Sequence, residues 1–170
     1  MLHQYKTIDM ETRINIAEAQ PQAYKAMHGL ESYLATTPLP KTHKELIKIR
    51  ASQINGCAYC IDMHSRDLLK AGLPVEHLVL VTAWHEADGI FDDHERAALA
   101  WAELVTRLGE RGVPDSAYEA AVAIFEEKRL TDLTIAISLM NAYNRMAISF
   151  RATPVALAGN DGQASPRISE

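Results

Sequence analysis

The sequence contains few cysteines, no long apolar run and no cluster of basic residues, and each shortage excludes a class of protein. Two cysteines are too few for the disulfide framework of a small secreted domain. The longest apolar stretches, such as 78–84, are far shorter than the roughly 20 residues of a membrane helix. With a net charge of −5 and no run of five basic residues, we expect neither a nucleic-acid partner nor a membrane partner.

The N-terminal residues, MLHQYKTIDMETR, have no basic start followed by an apolar core, so they do not resemble a signal peptide. We therefore expect a cytoplasmic protein. In a reducing compartment, two cysteines three residues apart are more often catalytic or metal-binding than structural. The sequence also has no Gly-rich phosphate loop and no G-x-S-x-G nucleophile motif.

The composition and the apolar periodicity predict an all-α protein. The chain has 170 residues, of which 48% are apolar and 23% charged, as in ordinary globular domains. Apolar residues recur at helical spacing, and no alternating strand pattern is present. We predict about six to eight helices in a single domain, 1–153, followed by a disordered tail, 154–170.

Several polar pairs have the spacing of helix N-terminal caps. Thr42 and Glu45 fit a capping box, as do Asp92 and Glu95, and the pattern returns at Ser116-x-x-Glu119. A last helix, about 133–150, is predicted to begin after a capping threonine, Thr131.

The central segment, 45–72, carries the chemistry. It contains both cysteines, Cys57 and Cys60, with His64 four residues after the second and Glu45 twelve residues before the first. If the helix begins at Cys57, then Cys60 lies about 60° and His64 about 20° from it around the helix axis. All three side chains are therefore predicted to face the packed side of one helix.

This arrangement suits dithiol redox chemistry. An unperturbed thiol is only roughly 3% thiolate at neutral pH, and a helix N-terminus stabilises the thiolate form. A histidine one turn later can exchange the proton, and Glu45 can orient that imidazole or relay its proton. Two cysteines three residues apart can then close a disulfide after one is oxidised to sulfenic acid. Helix geometry alone leaves open which cysteine attacks.

Other interpretations of these residues remain open. The cysteines fit small buried core residues, and the capping box accounts for Glu45 without any catalytic role. A zinc site with Cys57, Cys60, His64 and Glu45 is disfavoured, because structural zinc sites usually combine two separate ligand pairs. We therefore predict no metal and no cofactor other than a redox-active Cys57–Cys60 disulfide. Candidate pocket residues near this site are Tyr59, Trp84 and His85.

The central residues resemble the core of alkylhydroperoxidase D-like proteins in the carboxymuconolactone decarboxylase family. The shared pattern is a glutamate, a Cys-x-x-Cys pair twelve residues later and a histidine four residues beyond it. The segment NGCAYCIDMH is close to the usual family sequence, and AWHEA…FDDHERAALAWAELVT resembles its second common block. The resemblance covers roughly residues 20–150. The decarboxylase branch generally lacks this cysteine pair, which disfavours decarboxylase activity.

The resemblance implies a peroxidase-type, antioxidant oxidoreductase with an AhpD-like helical fold that assembles into homo-oligomers, as trimers or hexamers. It implies that Cys60 attacks the hydroperoxide and that Cys57 is the resolving thiol and proton donor. His64 and Glu45 would form the proton relay. A thioredoxin-like or lipoylated protein would reduce the disulfide again.

One position departs from the peroxidase pattern. Those peroxidases carry a histidine immediately before the second cysteine, whereas this chain has Tyr59. A tyrosine hydroxyl with a pKa near 10 does not exchange protons at neutral pH as imidazole does. The alternative hypothesis is a non-catalytic oligomer that senses redox state, with the cysteine pair as its switch.

Overall fold

The computed structural model describes residues 11–157, and all regular secondary structure in this range is helical. A 3-10 helix, Val81–Glu86, precedes the sixth of seven α-helices. Among the described residues, no helix is both long and apolar enough to cross a bilayer. The predicted all-α fold is confirmed. The α-helices are α1 (Ile16–Ala19), α2 (Pro21–Thr36), α3 (Lys41–Asn55), α4 (Ala58–Lys70), α5 (Val75–Leu80), α6 (Asp93–Thr106) and α7 (Asp115–Phe150).

Helix α3 is the central element, because it packs against α4, α6 and α7. Its residues Leu46, Ile47 and Ile49 are fully buried although they point in different directions. A helix that buries side chains around most of its circumference must be enclosed by other helices. Ile47 belongs to the larger core, which includes both cysteines, and Leu46 and Ile49 belong to a smaller core that includes Trp84.

A buried polar network holds the end of α3 against α7. The amide of Asn144, which is fully buried, donates from Nδ2 to Ser52 Oγ at 3.0 Å and accepts from Asn55 Nδ2 at 2.9 Å. Asn55 Nδ2 also donates to Asn141 Oδ1 at 2.8 Å. Asn55 is the last residue of α3, and Gly56 follows in the left-handed region with φ 72°. The network therefore fixes the turn that leads into the cysteine pair.

Replacing Asn144 with alanine is expected to lower the free energy of unfolding by about 2–3 kcal/mol, because buried polar partners on α3 lose their hydrogen bonds. Urea denaturation followed by circular dichroism measures this change. Ser138→Ala, at an exposed position of the same helix, is the control and should stay within about 0.5 kcal/mol of wild type. Equal stabilities for the two variants would show that the network contributes nothing.

The predicted caps have mixed outcomes. The Asp92–Glu95 capping box is confirmed, since each side chain accepts a hydrogen bond from the backbone N–H of the other residue. The boxes predicted at Thr42 and Ser116 are wrong, because α3 and α7 begin after prolines and have no side-chain cap. Proline sets the entry φ by itself, and Glu45 makes a tertiary contact instead.

The C-terminal third of the chain also differs from the prediction. Helix α7 joins the predicted last helix, about 133–150, to the segment that begins near the predicted Ser116 cap, and its interruption falls at Glu126, with φ 60° and ψ 161°. Thr131 lies inside the helix, where its Oγ1 donates to Glu127 O at 2.8 Å. The prediction failed because a threonine hydroxyl bonds the carbonyl four residues back as readily as it caps a helix.

The chain ends lie largely beyond the described residues. The predicted tail, 154–170, overlaps them only at 154–157, where Ala156 N–H donates to Asp62 Oδ2 at 2.7 Å. At the other end, Arg13 N–H donates to Phe150 O at 2.8 Å, which places the N-terminal segment beside the end of α7.

Candidate redox site

The cysteine pair lies at the N-terminus of α4. Cys57 is the N-cap, with an extended backbone (φ −86°, ψ 94°), and its Sγ accepts the backbone N–H of Cys60 at 3.4 Å. The two sulfurs form a disulfide bond with the Cα atoms 5.4 Å apart. Both residues are 1% exposed. The helix begins one residue later than predicted, so Cys57 is positioned by its cap conformation and not by helical rotation.

This location has a chemical consequence for the reduced protein. The first N–H groups of a helix have no intrahelical partner, and the positive end of the helix dipole lies there. A thiolate on Cys57, the N-cap, or on Cys60, in the first turn, would be stabilised by both effects. The shared position also places the two sulfurs within bonding distance of each other.

His64 and Glu45 form a buried pair next to this turn. His64 Nδ1 lies 3.0 Å from Glu45 Oε2, and the two residues are 3% and 7% exposed. His64 follows Cys60 by four residues on α4, so both side chains lie on one face of the helix. Glu45 reaches this face from α3. The hydrogen bond holds the imidazole with Nδ1 toward the carboxylate, which leaves Nε2 for proton exchange.

A lysine and a second glutamate extend this pair toward the surface. Lys48 Nζ lies 3.6 Å from Glu45 Oε1 and 3.6 Å from Glu31 Oε2. Burial by itself would raise the pKa of Glu45, but the hydrogen bond from His64 and the charge of Lys48 outweigh it and hold this pKa below its ordinary value. The side chains are 21% exposed at Glu31, 12% at Lys48 and 4% at His64. The exposed fraction thus falls from Glu31 at the surface, through Lys48, to the buried imidazole of His64.

Sequence reasoning missed Lys48 and Glu31. Lys48 is one helical turn beyond Glu45, so i,i+3 spacing on a predicted helix was a usable signal. Glu31 lies on α2, and no local pattern connects it with α3.

Tyr59 lines a small apolar cavity of about 60 Å³ between the N-terminal segment, α2 and α7. Tyr24 and Tyr143 line the same cavity. Tyr143 Oη is buried and has no hydrogen-bond partner among the described residues. Burial raises the pKa of Tyr143, so its hydroxyl stays protonated and is available only as a neutral group.

Trp84 and His85, predicted as pocket residues, lie in another part of the protein. Trp84 is buried in the smaller core and donates from Nε1 to Glu103 Oε1 at 3.0 Å, and Arg50 pairs with the same carboxylate. The ring of the exposed His85 packs on the Trp84 indole with centroids 3.6 Å apart. Trp84 borders a groove between α6 and α7, whereas Tyr59 lines the apolar cavity beside the N-terminal segment.

Known proteins are similar to this chain in both sequence and fold. Residues 21–104 match the Carboxymuconolactone decarboxylase family. The uncharacterised protein YdfG of Bacillus subtilis is 36% identical over 140 residues, which cover 82% of this chain and 95% of YdfG.

Two solved structures show the same fold. One is a protein of unknown function from Agrobacterium tumefaciens, ATU0492, suggested to be the antioxidant defence protein AhpD. It has a TM-score of 0.80 and 40% identity, covering 85% of this chain and 98% of that one. The other is an uncharacterised peroxidase-related protein from Ralstonia eutropha, described as an alkylhydroperoxidase AhpD core. Its TM-score is 0.71 at 22% identity, covering 81% and 73%, which supports the fold alone.

The family match, the nearly full-length relatives and the shared fold agree with the arrangement of the cysteine pair on α4. The chain belongs to the carboxymuconolactone decarboxylase family as an AhpD-like protein.

Proposed function

We propose that this protein is a thiol-dependent peroxidase that reduces organic hydroperoxides through the Cys57–Cys60 dithiol. The observation that carries the proposal is the cysteine pair at the N-terminus of α4, one turn from the buried His64–Glu45 pair. The antioxidant and peroxidase-related descriptions of its structural relatives are consistent with this activity. We further propose that it acts as a homo-oligomer, as the family resemblance of its central residues implies.

In the first step, the Cys60 thiolate attacks the terminal oxygen of the hydroperoxide. The S–O bond forms as the O–O bond breaks, so Cys60 becomes a sulfenic acid and an alkoxide leaves. The alkoxide takes a proton and departs as the alcohol. His64, held by Glu45 at 3.0 Å, receives the proton of the Cys60 thiol as the thiolate forms and supplies it to the alkoxide.

In the second step, the Cys57 thiol attacks the sulfenic sulfur, and the disulfide forms with release of water. A dithiol protein of the thioredoxin-like or lipoylated class then reduces the disulfide by thiol exchange and becomes oxidised itself. The sum is one hydroperoxide plus one dithiol giving one alcohol, one water and one disulfide.

The geometry favours Cys60 as the attacking residue. His64 is one turn from Cys60, on the same face of α4, but two turns from the level of Cys57. Cys57 lies outside the helix as its N-cap, where its sulfur already accepts the Cys60 backbone N–H. This placement suits the resolving thiol, whose sulfur needs to reach only its neighbour.

A thiol titration tests the proposal. Reduced protein is treated with one equivalent of cumene hydroperoxide, and we expect the loss of two thiols per chain with formation of one cumyl alcohol. Sustained turnover with a dithiol reductant would complete the cycle. Loss of two thiols together with a change in subunit number, but without turnover, would favour the redox-sensing alternative.

Replacing Lys48 with methionine is expected to shift the acid limb of the pH–activity profile toward higher pH. The charge of Lys48 helps to keep Glu45 ionised, so its removal raises the pKa of that carboxyl. The measurement is kcat/KM for cumene hydroperoxide as a function of pH. Lys41→Met, at an exposed position of the same helix, is the control and should leave the limb in place. Identical pH profiles for both variants would show that Lys48 does not lower the pKa of Glu45.

A further inference from the structure

A second cluster of polar side chains lies where the start of α3 meets the start of α6, and it shares no residue with the dithiol site. It consists of His43, Asp92 and Glu95, whose candidate ligand atoms all lie within 4.8 Å of one another. We propose that this cluster binds a divalent transition-metal ion of the Mn²⁺ to Zn²⁺ series.

The state of His43 is the first observation. The residue is 8% exposed, and its Nδ1 is buried without a hydrogen-bond partner among the described residues. Phe125 packs edge-on against the imidazole at 6.5 Å, and the His94 ring stacks on it at 6.3 Å. An unsatisfied buried nitrogen is destabilising, because folding removes its hydrogen bonds to water without replacing them. A metal ion would use a nitrogen lone pair of this imidazole as a ligand.

The capping box uses only one of the two oxygens of each carboxylate. Asp92 accepts the Glu95 N–H with Oδ1, and Glu95 accepts the Asp92 N–H with Oε2. In residues 11–157, no hydrogen bond engages Asp92 Oδ2 or Glu95 Oε1, and the nearest ion pair, His77 Nε2 to Glu95 Oε2, is long at 3.9 Å. Each carboxylate therefore keeps one oxygen for a cation while it still caps α6.

The ligand atoms and the space around them indicate which metal ions fit the site. One imidazole nitrogen with two carboxylate oxygens suits Mn²⁺, Fe²⁺ or Zn²⁺ better than a thiolate-preferring metal. Ligand atoms about 2.1 Å from such an ion lie about 3.0–4.2 Å apart, depending on the coordination geometry, so a side-chain shift of up to roughly 2 Å closes the site. Asp92 is exposed and can make this shift. A cavity of about 270 Å³ beside His43 and Asp92 leaves room for water ligands.

Isothermal titration calorimetry of the full chain with MnCl₂ and, separately, ZnCl₂ tests the site. The protein is first treated with EDTA and kept in its disulfide form, so that Cys57 and Cys60 cannot bind the metal. We expect one ion per chain. His43→Gln, Asp92→Asn and Glu95→Gln should each weaken binding by at least about tenfold, since loss of a supporting partner alone typically costs 10–100-fold.

The substitutions at Asp92 and Glu95 are chosen to remove a metal ligand while the cap of α6 is kept. Asparagine is a good N-cap, and glutamine can complete a capping box, so Asp92→Asn and Glu95→Gln should keep the metal-free melting temperature. Asp93→Asn and His28→Gln are the matched controls and should keep wild-type affinity. Absence of saturable heat in the wild-type protein, or unchanged affinity in both Asp92→Asn and Glu95→Gln, would overturn the proposal. These results do not depend on peroxidase activity.

Discussion

Cys60→Ser is expected to lower kcat/KM for organic hydroperoxides by at least about 10³-fold. A serine hydroxyl at this position is a far weaker nucleophile than a thiolate, and it cannot form a sulfenic acid. The measurement is consumption of cumene hydroperoxide in the presence of excess dithiol reductant. Undiminished turnover in this variant would contradict the proposed function outright.

The matched control is Cys57→Ser, because the chain has only two cysteines. This variant should lose its single thiol at a rate close to that of the wild-type protein and accumulate a Cys60 sulfenic acid that dimedone traps. It should not form the intramolecular disulfide. If instead Cys60→Ser yields the trapped sulfenic acid and Cys57→Ser stays reduced, then the roles of the two cysteines are exchanged.

His64→Gln is expected to lower kcat/KM by about 10²–10⁴-fold, the usual contribution of a general acid–base group. Glutamine can still donate to Glu45, so the buried carboxylate keeps its hydrogen bond and the fold should persist. The loss should be smaller for hydroperoxides that release more acidic alcohols, since these need less protonation in the transition state. A uniform loss across such a series would indicate a structural role. His28→Gln serves as the control.

The charge of Glu45 determines the direction in which stability and activity change with pH. Its pKa is lowered in the folded protein, despite burial, by His64 and Lys48. A lowered pKa means that the ionised carboxylate stabilises the fold at pH values above the pKa of the unfolded chain. This stabilisation is lost as the pH falls through the folded value. The positioning of His64 should weaken over the same acidic range, so stability and peroxidase activity should decline together.

Elements with strong local signals were predictable. Apolar periodicity located the helices, and the Asp92–Glu95 spacing located the cap of α6, because both depend on interactions within one or two turns. The same local reasoning failed at Thr131 and Ser116, where a prolonged helix and a proline removed any need for a side-chain cap.

Glu45 shows where local reasoning is insufficient. Its spacing from Thr42 fits a capping box as well as a proton relay, and the sequence does not separate the two. The packing of α3 against α4 does, because it buries the carboxylate beside His64, while Lys48 on α3 pairs with its other oxygen. A buried charge is destabilising unless it is paired, so the role of Glu45 depends on its partner. That partner, His64, lies on another helix.

The pattern of residues along the chain therefore determined the helical class and the cysteine pair with a histidine one turn beyond it. Contacts between helices decided the rest. They placed Glu45 beside His64, buried Trp84 in a different core cluster from Tyr59, and placed His43 of α3 close to the carboxylates of Asp92 and Glu95. The division has a physical reason. Helix periodicity and first-turn chemistry act over a few residues, whereas burial and charge pairing depend on neighbours that only the folded chain provides.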